Sequence, residues 1–274
     1  MRLRTLVTAA LLLASTALSA GPHDVAIHVT RLGGDRGSAQ PYVDRLLRRL
    51  EGLTGWAAGS MKGAFVVSKK EALAYLAQAQ PGFGMLEPAL YFELRKSHAL
   101  TPLLQVESVD LVSPKLHVVV KDAGLKTLAD LAGKRLWTTL GDHPRYLQAV
   151  VLEGKLDLAG VQVKPLGQAL KGLRGVLRGD CDATVLDDDQ LAKARQMTGG
   201  ADLRVLASSP ALPSIPLVAF GGALSEAEKA ALVKALSGLC GTPEGAAVCK
   251  EMHIGRFVPV DAATFSRAQA AYGE

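Results

Sequence analysis

The chain has 274 residues, of which 49% are hydrophobic and 5% aromatic, and a formal net charge of +5. So small a charge, spread along the chain rather than gathered in stripes, argues against nucleic acid as a partner. The length is enough for two lobes or one large one.

The first twenty residues read as a secretory signal peptide: a basic "MRLR", an apolar "TLVTAALLLASTALS", and small residues around Ala17-Leu18-Ser19. No cysteine lies near the cleavage position, so no lipid anchor is expected. The remainder is expected to be exported, and an exported compartment permits disulfides.

"DVAIHVT" (24–30) predicts a strand and the Gly-rich "RLGGDRGSAQ" (31–40) a polar loop. Val43, Leu46, Leu47 and Leu50 recur at helical spacing and predict a helix over 41–55. "GAFVVS" predicts a strand, "KKEALAYLAQAQ" a helix stopped by Pro81-Gly82, "FGMLEP" a short strand and "ALYFELRKSHAL" a helix. "TPLLQVES" and "KLHVVVK" are strands, the second Val-rich as in a covered sheet.

"GLKTLADLAGKRLWTTLG" reads as a turn, a short helix and a strand, and "PRYLQAVVLEG" as a helix. "VQVKPLG", "CDATVLDD", "LRVLASS" and "IPLVAFGG" are further strands. "QALKGLRGVLRGD" and "DQLAKARQMTGG" are helices, and the end from Ser225 is mostly helical. This alternation is α/β. Prolines at 114, 210, 213 and 216 mark where the chain could cross between lobes and return. The expected division is 21–110 with 217–274 as a discontinuous first lobe and 111–216 as the second, hinge segments at both ends. The cleft between them is the expected site.

The order of several segments resembles the phosphate/phosphite/phosphonate-type periplasmic substrate-binding proteins of ABC transporters. The segments are "PYVDRLLRRLEGLTG", "FGMLEPALYF", "HVVVKDAGLKTLADLAGKRLWTT", "LRGDCDATVLDDDQL" and "FVPVDAATF". The resemblance implies two lobes, each a mostly parallel sheet flanked by helices, joined by a two-strand hinge. It also implies a small-molecule ligand captured by closure, an inner-membrane permease as partner, a monomer, no cofactor and no catalysis. In the family the loop after "GKR" is rich in Ser and Thr; here it keeps Thr138 and Thr139 but continues Gly141, Asp142, His143, Pro144, Arg145. Glu87 stands where the family usually has Gly.

The expected ligand contacts are Arg36, Glu87, Pro88 and Tyr91 from one lobe, with Thr138, Thr139, Gly141, His143, Arg145 and Asp187 from the other. Asp142 also reads as a helix N-cap ahead of Pro144. For Tyr91, Arg145 and Tyr146 packing or solvent stands beside ligand contact. Asp187-Asp188-Asp189 suits a helix start, where acids complement the dipole. Of the six histidines only His143 falls in a site loop, and no paired His spacing suggests a metal.

Cys240 and Cys249 enclose a short Gly- and Pro-containing loop and are the expected disulfide. Cys181 is left over in a buried strand. A ligand-sensing partner of a receptor kinase, or a binder of neutral, cationic or lipid-like ligands, are alternatives on the same fold. An enzyme would have to use Cys181 or the Glu87/Asp142 pair.

Overall fold

The computed structural model describes residues 23–29, 36–108 and 115–273, so the expected signal peptide lies outside the described residues. The strands are β1 (His23–His28), β2 (Met61–Phe65), β3 (Phe83–Leu86), β4 (Thr101–Ser108), β5 (Leu116–Val120), β6 (Arg135–Thr138), β7 (Gln162–Pro165), β8 (Ala183–Asp187), β9 (Arg204–Ser208), β10 (Pro216–Ala219) and β11 (Ile254–Val258). The α-helices are α1 (Arg36–Thr54), α2 (Lys69–Ala79), α3 (Pro88–Leu94), α4 (Pro144–Tyr146), α5 (Ala169–Arg178), α6 (Asp188–Arg195), α7 (Glu226–Leu239), α8 (Pro243–Glu251) and α9 (Ala262–Tyr272).

The strands form two sheets, one of six in the order β11-β4-β10-β3-β1-β2 and one of five in the order β7-β6-β8-β5-β9. Both are mixed rather than mostly parallel. β1 runs parallel to β2 and β3, and β6 parallel to β7 and β8. β10 runs antiparallel to β3 and β4, and β5 antiparallel to β8 and β9. The reason is the crossing itself. A strand that leaves a sheet and one that returns beside it run in opposite directions, so β4 pairs with β10 and β5 with β9. The return segment is tied down at both ends. Ser209 N donates to Leu116 O (2.8 Å), Leu116 N donates to Ser209 Oγ (3.0 Å), and Val106 N donates to Ile215 O (2.9 Å).

α1 starts earlier than expected, taking in residues of the Gly-rich segment, and Pro41 lies inside it. α4 is a single turn that continues as a π-helical turn over Leu147–Val151. Cys240 and Cys249 are joined in a disulfide between the end of α7 and α8, and Cys181 is a buried free thiol.

The largest apolar cluster runs through both sheets' layers: Leu86, Leu90 and Phe92 belong to it, and so do Val118, Leu136 and Tyr146. α9 completes it. Phe265 packs edge-on against Tyr91 (ring centroids 5.7 Å) and lies 6.3 Å from Phe92. Phe92 also stacks on Tyr146 at 5.8 Å and meets Tyr272 at 5.8 Å. The carboxy-terminal helix thereby bridges α3 and α4.

Candidate functional site

Parallel strands followed by helices leave their carboxyl ends open to ligands, because helix N-termini and loop N–H groups collect there. Here the ends of β1, β2 and β3 face those of β6, β7 and β8 across one cleft. Its apolar chamber lies beside the crossing segments and is walled by Pro88, Ala89, Val106, Leu116, Leu140, Val185, Leu212 and Ile215, with Glu87, Thr139, Tyr146, Asp187 and Gln190 supplying polar groups. It encloses a cavity of ≈ 120 Å³ and opens to solvent at its mouth. A more polar chamber adjoins it, in which Val67, Pro165 and Leu166 stand beside His28, Ser68, Lys69, Glu87, Thr139, Asp142, His143 and Gly167. Glu87 and Thr139 belong to both chambers.

The local sequence explains each wall. Pro88 and Pro144 each occupy the first helical position, where a missing N–H costs nothing. The residue before each proline is held out of the helix, so Glu87 and His143 stand at the N-cap positions of α3 and α4, neither side chain bonding a free helix N–H. This corrects Asp142 as the cap: Pro144 at the first position places the cap one residue later. Asp187 does cap α6, accepting from Gln190 N (2.8 Å), while its own N–H donates to Gln190 Oε1 (3.1 Å). Its carboxylate is therefore both helix cap and cleft wall. Ser68 caps α2 by accepting from Glu71 N (3.2 Å).

The expected contacts separate by position. Glu87, Pro88, Thr139 and Asp187 line the apolar chamber, and Glu87, Thr139 and His143 the polar one. Thr138 is buried, its hydroxyl accepting from Leu140 N (3.1 Å) to shape the turn. Gly141 is the close-approach point of the loop. A Cβ there would come within 2.5 Å of Pro165 Cα, so the turn and β7 could not meet with any larger residue. Tyr91 is buried against Phe92 and Phe265. Arg145 turns to α9, donating to Tyr272 O (2.6 Å) with its guanidinium 4.3 Å from the Tyr272 ring centroid. Arg36 opens α1, and its side chain lies outside the described residues.

Polar contacts cross the cleft. Glu93 of α3 pairs with His143 Nδ1 at 2.9 Å and with Lys69 at 2.5 Å. Lys69 Nζ also donates to Asp142 O at 3.1 Å. Tyr146 presents its phenol to the cleft, and burial first, then the Glu87 carboxylate, hold it protonated well above the usual phenol range. Among the described residues no group of three or more His, Cys, Asp or Glu is placed to hold a metal, and no helix is long and apolar enough to cross a membrane.

Sequence reasoning passed over His28, Ser68 and Lys69. "SKKE" carried a signal for two of them, since Ser followed three residues later by Glu is a helix-start pattern that places Ser68 and Lys69 at a strand's carboxyl end.

Two sheets facing one another across such a cleft, with the chain crossing between them and returning, define a two-lobed solute-binding protein. Residues 60–265 match the family described as ABC transporter, phosphonate, periplasmic substrate-binding protein, and the chain belongs to that family: it is a periplasmic binding protein of an ABC-type system. Solved structures with the same fold include XAC2383 from Xanthomonas citri bound to ATP (16% identity, TM-score 0.72, 92% of this chain and 96% of that one). PhnD1 from Prochlorococcus marinus in complex with methylphosphonate is similar at 13% identity and TM-score 0.66, covering 91% and 96%. A binding protein component of an ABC phosphonate transporter from Pseudomonas aeruginosa is similar at 13% identity and TM-score 0.65, covering 89% and 83%. No curated protein sequence matches the chain.

Proposed function

We propose that the protein captures an organophosphonate between its lobes, with the phosphorus oxyanion in the polar chamber and the organic body against the apolar wall. The observation that carries this reading is the single cleft with a polar and an apolar end, joined at Glu87 and Thr139 and built from strand ends of both sheets. A ligand touching both sides stabilises the closed arrangement by its differential affinity for it. Sheet membership supports the division into 21–110 with 217–274 and 111–216. A permease in the inner membrane would receive the ligand from a monomeric, closed form, after export to the periplasm directed by residues 1–20.

The protein acts by binding, without catalysis. Cys181 is 2% exposed and burial pushes its thiol up to about 11. A thiol at that value is almost wholly protonated at pH 8 and unreactive. Cys181 is therefore expected to resist iodoacetamide at pH 8 in the folded protein and to react fully in denaturant. Labelling at equal rates in both states would return it to the list of candidate nucleophiles.

A second reading, a neutral, cationic or lipid-like ligand, is favoured by the carboxylates of Glu87 and Asp187 in the chamber walls. A thermal-shift screen separates the two, because a ligand of the native state raises apparent stability by mass action. Phosphate, phosphite, methylphosphonate, choline and a short-chain phospholipid are the probes. A shift with methylphosphonate supports the first reading; a shift with choline or the lipid alone supports the second.

A further inference from the structure

His28 ends β1 at the carboxyl edge of the six-stranded sheet and lines the polar chamber. It is 2% exposed, and neither ring nitrogen hydrogen-bonds another residue among the described ones. Buried polar groups are almost always paired, because leaving one unmade costs the full desolvation of that group. Sequences keep such a defect where function uses it. Beside His28 stand Ser68 and Lys69 at the start of α2, whose first-turn N–H groups favour anions.

We propose that His28 receives the ligand's oxyanion: its imidazole donates to a phosphonate oxygen and takes up one proton from solvent as the ligand enters. This rests on the phosphonate reading above. The groups facing His28 are Glu87 from the end of β3, Glu71 and Lys69 from α2, and Asp142 and His143 from the loop before α4. Glu93 engages both Lys69 and His143. Burial lowers the His28 pKa, Glu87 and Glu71 raise it, His143 lowers it, and the net shift is downward. The ligand-free imidazole is therefore neutral at pH 7. An anion placed against it favours the charged form, so binding and proton uptake are linked.

The test is calorimetric titration of the natural protein, His28→Gln and His28→Leu with methylphosphonate between pH 7.5 and 6.0, in buffers of different ionisation enthalpy. His28→Gln is expected to weaken binding about tenfold or more, the cost of losing a charged hydrogen bond. The ratio of natural to His28→Gln affinity is expected to climb as pH falls, by up to about tenfold per unit for one linked proton. His28→Leu is expected to lose binding while its ligand-free Tm rises by about 2–4 °C, because the orphaned imidazole is gone. A ratio flat with pH, or a His28→Leu variant that binds normally with a lower Tm, overturns the role of His28 and leaves it a packing residue of the core. If the natural protein fails to bind methylphosphonate at every pH, the phosphonate reading falls, and the oxyanion role of His28 with it.

Discussion

Phe92→Ala is expected to destabilise the protein by about 3–5 kcal/mol, the range for a buried aromatic truncated to alanine. That is a large share of the roughly 5–15 kcal/mol typical of a folded domain. Phe92 is 1% exposed and its ring faces those of Tyr91, Tyr146, Phe265 and Tyr272. Each such pair contributes roughly 0.5–1.5 kcal/mol beyond area burial. These rings belong to α3, α4 and α9, so the substitution loosens the junction of the two layers rather than one lobe's interior. Chemical denaturation checks it. The midpoint should fall, and the Tm should drop by roughly 6–20 °C for a chain of this size. Phe92→Leu, which keeps most of the buried area, should cost well under half as much. A Phe92→Ala protein as stable as the natural one would mean that the aromatic cluster does not hold the lobes together.

The second large effect concerns ligand charge. Replacing Glu87 by Gly and Asp142 by Ser together is expected to strengthen methylphosphonate binding by about tenfold. Two unit charges 4 Å apart repel by about 4 kcal/mol at an effective dielectric of 20. Salt and exposure reduce this sharply for Asp142, which is exposed. Glu87 makes no side-chain capping bond to α3, and glycine is itself a good cap, so the helix should survive. Part of the gain is offset, because Glu87 also raises the pKa of His28. Affinity unchanged in the double variant would show that neither carboxylate faces the bound ligand.

Much of the fold was legible in the chain. Val-rich and Leu-rich runs punctuated by Gly and Pro gave the alternation of strands and helices, and Cys240 and Cys249 were close enough to pair on spacing. The turn between Thr138 and Pro144 is legible too, because a strand running into a proline-started helix puts the connecting loop at the strand's carboxyl end. What could not be seen depends on distant partners. Arg145 turns away from the cleft because Tyr272, far along the chain, offers it a carbonyl and a ring. Tyr91 is buried because Phe265 reaches it from α9. The mixed sheets follow from how the chain crosses and returns, which periodicity does not encode. In the sequence His28 is indistinguishable from any strand histidine, since the want of a partner is a property of the packed molecule.

The most direct test of ligand capture between the two sheets is calorimetric titration of methylphosphonate into the natural protein and into Thr139→Phe. Thr139 is half-buried at the junction of the two chambers, where a phenyl ring would fill the space the ligand needs. The expected result is saturable one-to-one binding by the natural protein and at least a hundredfold loss in a folded Thr139→Phe variant. Equal affinity in the two proteins would contradict the cleft as the binding site.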